Sequence, residues 1–128
     1  MDPIAKLITG FKAFRDGRFQ DQRAAYEALV DQGQKPKVAI FACSDSRVDP
    51  AIVLQADPGD LFIVRNVANL VPPHERDGHF HGTSAALEYA VLHLEVDHLI
   101  VLGHAHCGGI RSLFEVESRG GEDRKSVV

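Results

Sequence analysis

The chain has 128 residues, a length that suits one domain, and its 45% hydrophobic and 25% charged content is ordinary for a globular protein. Fourteen basic against eighteen acidic residues leave a net charge of −4, and no lysine–arginine cluster offers a nucleic-acid surface. No apolar run approaches the ~20 residues of a membrane span, and the charged, amphipathic N-terminal stretch has no signal-peptide core. Two cysteines in a chain with nothing secreted about it point to reduced thiols in the cytoplasm.

Taken in order, residues 2–16 place Ile4, Leu7, Ile8, Phe11 and Phe14 at helical spacing. That apolar face must cover something, and a partner subunit is a candidate. A second helix spans 21–32, with Ala24, Ala25, Leu29 and Val30 inside and Gly33 as its stop. Gln34-Lys35-Pro36 connects to a strand over 37–42, whose apolar run breaks into Cys43-Ser44-Asp45-Ser46-Arg47. Pro50 opens a short helix to about Leu54, and Asp57-Pro58-Gly59-Asp60 has the composition of a turn. Leu61–Val64 is a second strand leading into Arg65-Asn66-Val67-Ala68-Asn69. A loop from Pro72-Pro73 to Gly82 precedes a helix from about Thr83 to Leu94, with Ala86, Leu87, Ala90, Val91 and Leu94 as its buried stripe. His98–Leu102 is the third strand, and it breaks into Gly103-His104-Ala105-His106-Cys107-Gly108-Gly109. A last helix starts near Gly109 and fades by Glu117, and Ser118 to Val128 reads as a frayed polar tail.

Apolar strands alternating with helices predict an α/β fold, a three-layer architecture with a mainly parallel sheet flanked by helices. We expect a single domain over 1–128, with N-terminal helices at 1–33 and the α/β core at 34–117. Ligands of such sheets bind at strand carboxyl ends, where both cysteine loops fall. His104 and Cys107 have a spacing that lets both reach one ion, and Cys43 can supply a third soft ligand from the other loop. Three such ligands suit one zinc ion per chain, with a fourth position left for water. Cys107 sits at a helix start, which favours thiolate, and Gly108 and Gly109 permit close backbone approach. Asp45 and Arg47 fall on one side of an extended loop and can form a charge-assisted pair. Asp45 then either accepts a hydrogen bond beside the ion or swings in as a fourth ligand and closes the site.

These three stretches, in this order, resemble the β-class carbonic anhydrases, from about Gln34 to Leu113. The resemblance implies zinc held by Cys43, His104 and Cys107, an Asp45–Arg47 dyad, and reversible hydration of carbon dioxide to bicarbonate and a proton by zinc-bound hydroxide. It implies substrate-binding positions at Gln34, Phe62, Val67, Tyr89 and Gly108. Gln34, Phe62 and Tyr89 would come from the neighbouring subunit of a homodimer or larger homo-oligomer, as in the plant-like subgroup. The other subgroup carries a tryptophan in a bicarbonate pocket where this chain has Ile40, so an open site with little bicarbonate regulation is implied. His106 is a candidate proton relay, and His74, His79 and His81 are read as a solvated loop before a second metal site. Members of the family usually continue with a fourth parallel strand, an edge strand and further helices, for which this chain has no candidate. The rival expectation is therefore a truncated or inactive zinc-binding or assembly module of the same fold. Neither nucleic acid nor membrane is an expected partner.

Overall fold

The computed structural model describes residues 2–115, and the chain divides after Gln34 into two compact units. The expected end of the last helix beyond Glu115, and the frayed tail, lie outside the described residues.

The first unit is helical. Helix α1 (Pro3–Asp16) starts where Asp2 accepts hydrogen bonds from the N–H groups of Ile4 and Ala5, with Pro3 in the first turn, where its missing N–H costs nothing. A short helix α2 (Arg18–Asp21) precedes α3 (Arg23–Gln32), so the second expected helix begins two residues late and gains a separate turn before it. Gly33 ends α3 with φ of 75°, a conformation in which a side chain would be strained. Phe14, Phe19 and Tyr26 form a triangle of rings with centroids 5.2–6.3 Å apart. The expected inward face of α3 is corrected: Ala24, Ala25 and Val30 are exposed, and only Leu29 is partly buried. Helical periodicity requires an apolar stripe to be covered by something, but it does not say by what. On α1, likewise, Ile4, Leu7, Ile8 and Phe11 are all more than half exposed.

The second unit holds a sheet of three parallel strands, β1 (Val38–Cys43), β2 (Leu61–Asn66) and β3 (His98–Leu102), in the order β2-β1-β3. Helix α4 (Pro50–Val53) lies in the β1–β2 connection. Helix α5 (Gly82–Glu88) runs on into a π-helical turn (Tyr89–His93) before β3. Strand β1 is central and its last five residues are buried, which is why its sequence is apolar throughout. Ala39, Phe41 and Ala90 make the main core cluster, with Phe62, Val64, Leu87 and Val96 packed on it. The π turn holds one departure from the expected helical stripe. Within it Ala90 is buried while Val91 is 45% exposed, so the two do not share one buried face.

Strand β3 corrects the expectation of burial on both faces. Leu99, Ile100 and Val101 are 51%, 42% and 59% exposed, so neither face of β3 is covered among the described residues, and no further strand lies beside it there. Its sequence is that of an interior strand placed at an edge. None of the described helices is long and apolar enough to cross a membrane. Because the strands are parallel and in register, Cys43 lies opposite Asn66, and β3 ends beside them at Leu102. The loops after all three strands therefore open on one edge of the sheet.

Candidate metal centre

At that edge Cys43 and Cys107 are both buried, both free thiols, and their sulfurs are 3.9 Å apart. His104 completes the group, all three ligand atoms lying within 4.8 Å of one another. Two thiolates on a tetrahedral zinc, with bonds of about 2.3 Å, sit about 3.8 Å apart, so the observed spacing fits without rearrangement. The imidazole supplies the second test. Its Nδ1 is 2.9 Å from the Ala105 carbonyl, which fixes the proton there and leaves Nε2 as a lone pair. Nε2 is buried with no hydrogen-bond partner of ordinary geometry. An orphaned buried nitrogen beside two thiols is what a metal ligand looks like when protein atoms alone are counted.

Electrostatics point the same way. Burial pushes the Cys43 thiol up, but the neighbouring His104, the backbone at Asp45 and Ala68, and Cys107 together bring it down to about 7. The Cys43 sulfur in turn raises the His104 imidazole, with a further contribution from the Ala105 carbonyl. Cys43 and His104 thus stabilise each other's charged forms.

The backbone around the cluster is unusual. Val67–Asn69 forms a 3₁₀ turn after β2 in which Ala68 and Asn69 have φ of 69° and 47°. Helix α6 (Gly108–Glu115) begins directly after Cys107 and presses on that turn. A Cβ on Gly109 would meet Val67 Cγ1 at 2.6 Å and Ala68 Cβ at 2.9 Å, so only glycine fits. Gly108 has nothing within 4 Å of the same position. The expectation of close approach therefore holds at Gly109 and not at Gly108.

Asp45 lies outside the Cys43–His104–Cys107 group and is bound to Arg47. The Arg47 Nε and backbone N–H donate to Asp45 Oδ1, and Nη2 donates to Oδ2, at 2.8–2.9 Å. These bonds hold the Asp45 carboxyl far below the usual carboxylate range. Arg47 Nη2 also donates to the His106 carbonyl at 3.0 Å, so His106, itself at φ of 54°, meets the dyad through its backbone.

Two residues to which the sequence pattern assigns no separate role do much of the holding. Arg65 donates to the carbonyls of Cys43 and Asp45 and to the Asp49 carboxylate. Asn66 brackets Leu70, accepting from its N–H and donating to its carbonyl, both at 2.7 Å, and reaches Thr83 Oγ1. An arginine closing an otherwise apolar strand is the signal that could have marked the first of these.

A family model described as "Carbonic anhydrase" matches residues 38–127. This chain belongs to the β-carbonic anhydrase family. The carbonic anhydrase of Synechocystis sp. is 42% identical over 115 residues, which is 90% of this chain and 41% of that one. Beta carbonic anhydrase 3 of Arabidopsis thaliana is 39% identical over 117 residues, covering 91% and 45%. Among solved structures, the β-carbonic anhydrase CcaA superposes with a TM-score of 0.84 at 40% identity, covering 93% of this chain and 52% of that one. One of two tetrameric β-carbonic anhydrases from Sordaria macrospora gives 0.76 at 32% identity, covering 89% and 55%. The chain thus spans less than half the length of these curated relatives.

The positions expected from the resemblance to bind substrate separate into two groups. Val67 and Gly108 line one cavity of about 710 Å³ with Leu70, Pro72 and Ser112. Phe62 and Tyr89 instead pack on each other, centroids 5.8 Å apart, beside the main core. Phe62 pairs with Ala39, four residues before the Cys43–Asn66 pair, which is roughly 13 Å along a strand. Gln34 is exposed and belongs to the helical unit. In the exposed loop before α5, His81 Nε2 bonds Asp77 Oδ1 at 2.8 Å and lies near Glu75.

Proposed function

We propose that this chain carries the site for reversible hydration of carbon dioxide to bicarbonate and a proton, with one zinc ion held by Cys43, His104 and Cys107. The observation that carries the reading is the orphaned His104 Nε2, within 4.8 Å of two free sulfurs that are themselves 3.9 Å apart. When bound, such an ion supplies Lewis acidity that brings the pKa of water from about 15.7 to about 7. Asp45, kept ionised by Arg47, accepts a hydrogen bond from the attacking oxygen and so aims its lone pair at the substrate carbon. Val67 gives the cavity an apolar wall suited to a small apolar substrate. Gly108 lines the same cavity at the start of α6, where first-turn N–H groups lack helical acceptors and suit the negative charge of the product.

Phe62, Tyr89 and Gln34 act, in this reading, on the site of a neighbouring subunit. The separation of Phe62 from Cys43 along the sheet supports that, as does the exposed apolar face of α1. The assembly is a homodimer or a larger homo-oligomer, and a related structure is described as tetrameric. The two free thiols suit a reducing compartment such as the cytoplasm. A second reading, a zinc-binding module without turnover, is favoured by the exposed edge of β3. Stopped-flow hydration at neutral pH, with zinc stoichiometry and mass in solution, separates them. Activity in the parent that disappears in Cys43→Ser and Asp45→Ala supports the enzyme. Zinc bound with no activity above background supports the module, and no zinc at all defeats both.

A further inference from the structure

The Asp45–Arg47 pair poses a problem of magnitude. Arg47 is 57% exposed, so water and salt screen its charge and loosen its hold on Asp45. That leaves little to hold a carboxylate away from a dication bound a few residues along the same loop. Something else must fix the loop, and Arg65 is placed to do it.

Arg65 ends its fork on three acceptors. Its Nε donates to the Cys43 carbonyl at 2.8 Å, Nη2 to the Asp45 carbonyl at 2.7 Å, and Nη1 to Asp49 Oδ2 at 3.3 Å. Its side chain is 26% exposed, so these bonds are better shielded than those of Arg47. Asp49 is itself fixed, since its Oδ1 accepts from Ala51 N–H at the start of α4. Asp45 is therefore gripped twice, by its carboxylate on Arg47 and by its carbonyl on Arg65. Swinging the Asp45 backbone toward Cys43 breaks the second grip.

We propose that Arg65 is a positioning residue that anchors the backbone from Cys43 to Asp49, so that the Asp45 carboxylate stays on Arg47 and leaves the fourth coordination position to an exchangeable ligand. This role rests on the proposed metal site. Lysine cannot replace the fork, because a single ammonium cannot meet three acceptors with planar geometry.

The test uses the full chain loaded with cobalt(II), whose visible spectrum reports its ligands, and azide as the exchangeable probe. The parent is expected to bind about one cobalt with a sulfur-to-cobalt charge-transfer band, as two thiolate ligands require, and to shift its spectrum with azide. Arg65→Ala is expected to keep the cobalt and the band but to bind azide about tenfold or more weakly, the loss of one or two charge-assisted bonds to the loop. Adding Asp45→Asn to Arg65→Ala is expected to restore azide binding, because the intruding carboxylate is gone. A merely structural arginine does not give that rescue. Arg65→Lys is expected to show the same loss and the same rescue in milder form, and it carries the test if Arg65→Ala does not fold. Parent-like azide affinity in the single variants, or no rescue by Asp45→Asn, overturns the role of Arg65. A parent that binds no cobalt, or shows no charge-transfer band, overturns the metal site itself.

Discussion

The sharpest consequence of the packing concerns Gly109, and Gly108 beside it is the control. Against an optimal carbon contact of ~3.5 Å, an added methyl at Gly109 falls short by roughly 0.9 Å from Val67 Cγ1 and 0.6 Å from Ala68 Cβ. Val67 can change rotamer, but Ala68 cannot yield cheaply. Its backbone nitrogen is 3.1 Å from the same added atom, and it sits in a left-handed turn. Overpacking of this kind costs about 1–3 kcal/mol, offset by up to ~1 kcal/mol of better helix propensity. Gly109→Ala should therefore lose about 1–2 kcal/mol and about 5 °C or more in Tm. Because α6 starts beside Cys107, pushing it off the turn also spreads the sulfurs, and zinc transfer to a competing chelator should rise with it. Gly108→Ala meets nothing within 4 Å and should stay within about 0.5 kcal/mol of the parent in stability. Thermal unfolding and chelator competition on both variants decide the matter. Equal losses in the two, or none in Gly109→Ala, refute the packing argument.

Asn66→Ala removes both bonds to Leu70 and leaves the strained 67–69 turn unbraced. Denaturant unfolding should show a loss of about 2 kcal/mol, and an unchanged midpoint would show that the turn holds without its bracket. Stripping the metal should lower Tm and expose about two thiols to a chromogenic disulfide reagent, while the zinc-loaded chain shields them; equal reactivity in both forms would separate the thiols from the metal. His81 is raised above the usual imidazole range by its bond to Asp77, and Asp77 is lowered. The His81 share of stability is complete below the ordinary imidazole value and fades as pH rises through the raised one. The Asp77 share is complete above the ordinary carboxylate value and fades as pH falls through the lowered one. NMR titration should find His81 raised in the parent and ordinary in Asp77→Asn; identical titration in both would remove the pair.

Much of the candidate site was legible in the chain because its chemistry is local. Cysteine and histidine at strand ends, an acid two residues before an arginine, and paired glycines at a helix start are all short-range patterns. Alternation of apolar runs with amphipathic helices was enough for a parallel α/β sheet, since only such strands are apolar on both faces. Side-chain type and spacing thus determined the candidate ligand set, the order of strands along the chain and the family likeness. Tertiary structure alone decided the rest, because it depends on atoms distant in sequence meeting at fixed distances. It put Arg65 on two carbonyls of the first loop, made Gly109 a contact point for Ala68, and oriented His104 so that Nε2 has no partner. It also left β3 exposed: composition records that a strand suits an interior, but only three-dimensional packing decides what lies beside it.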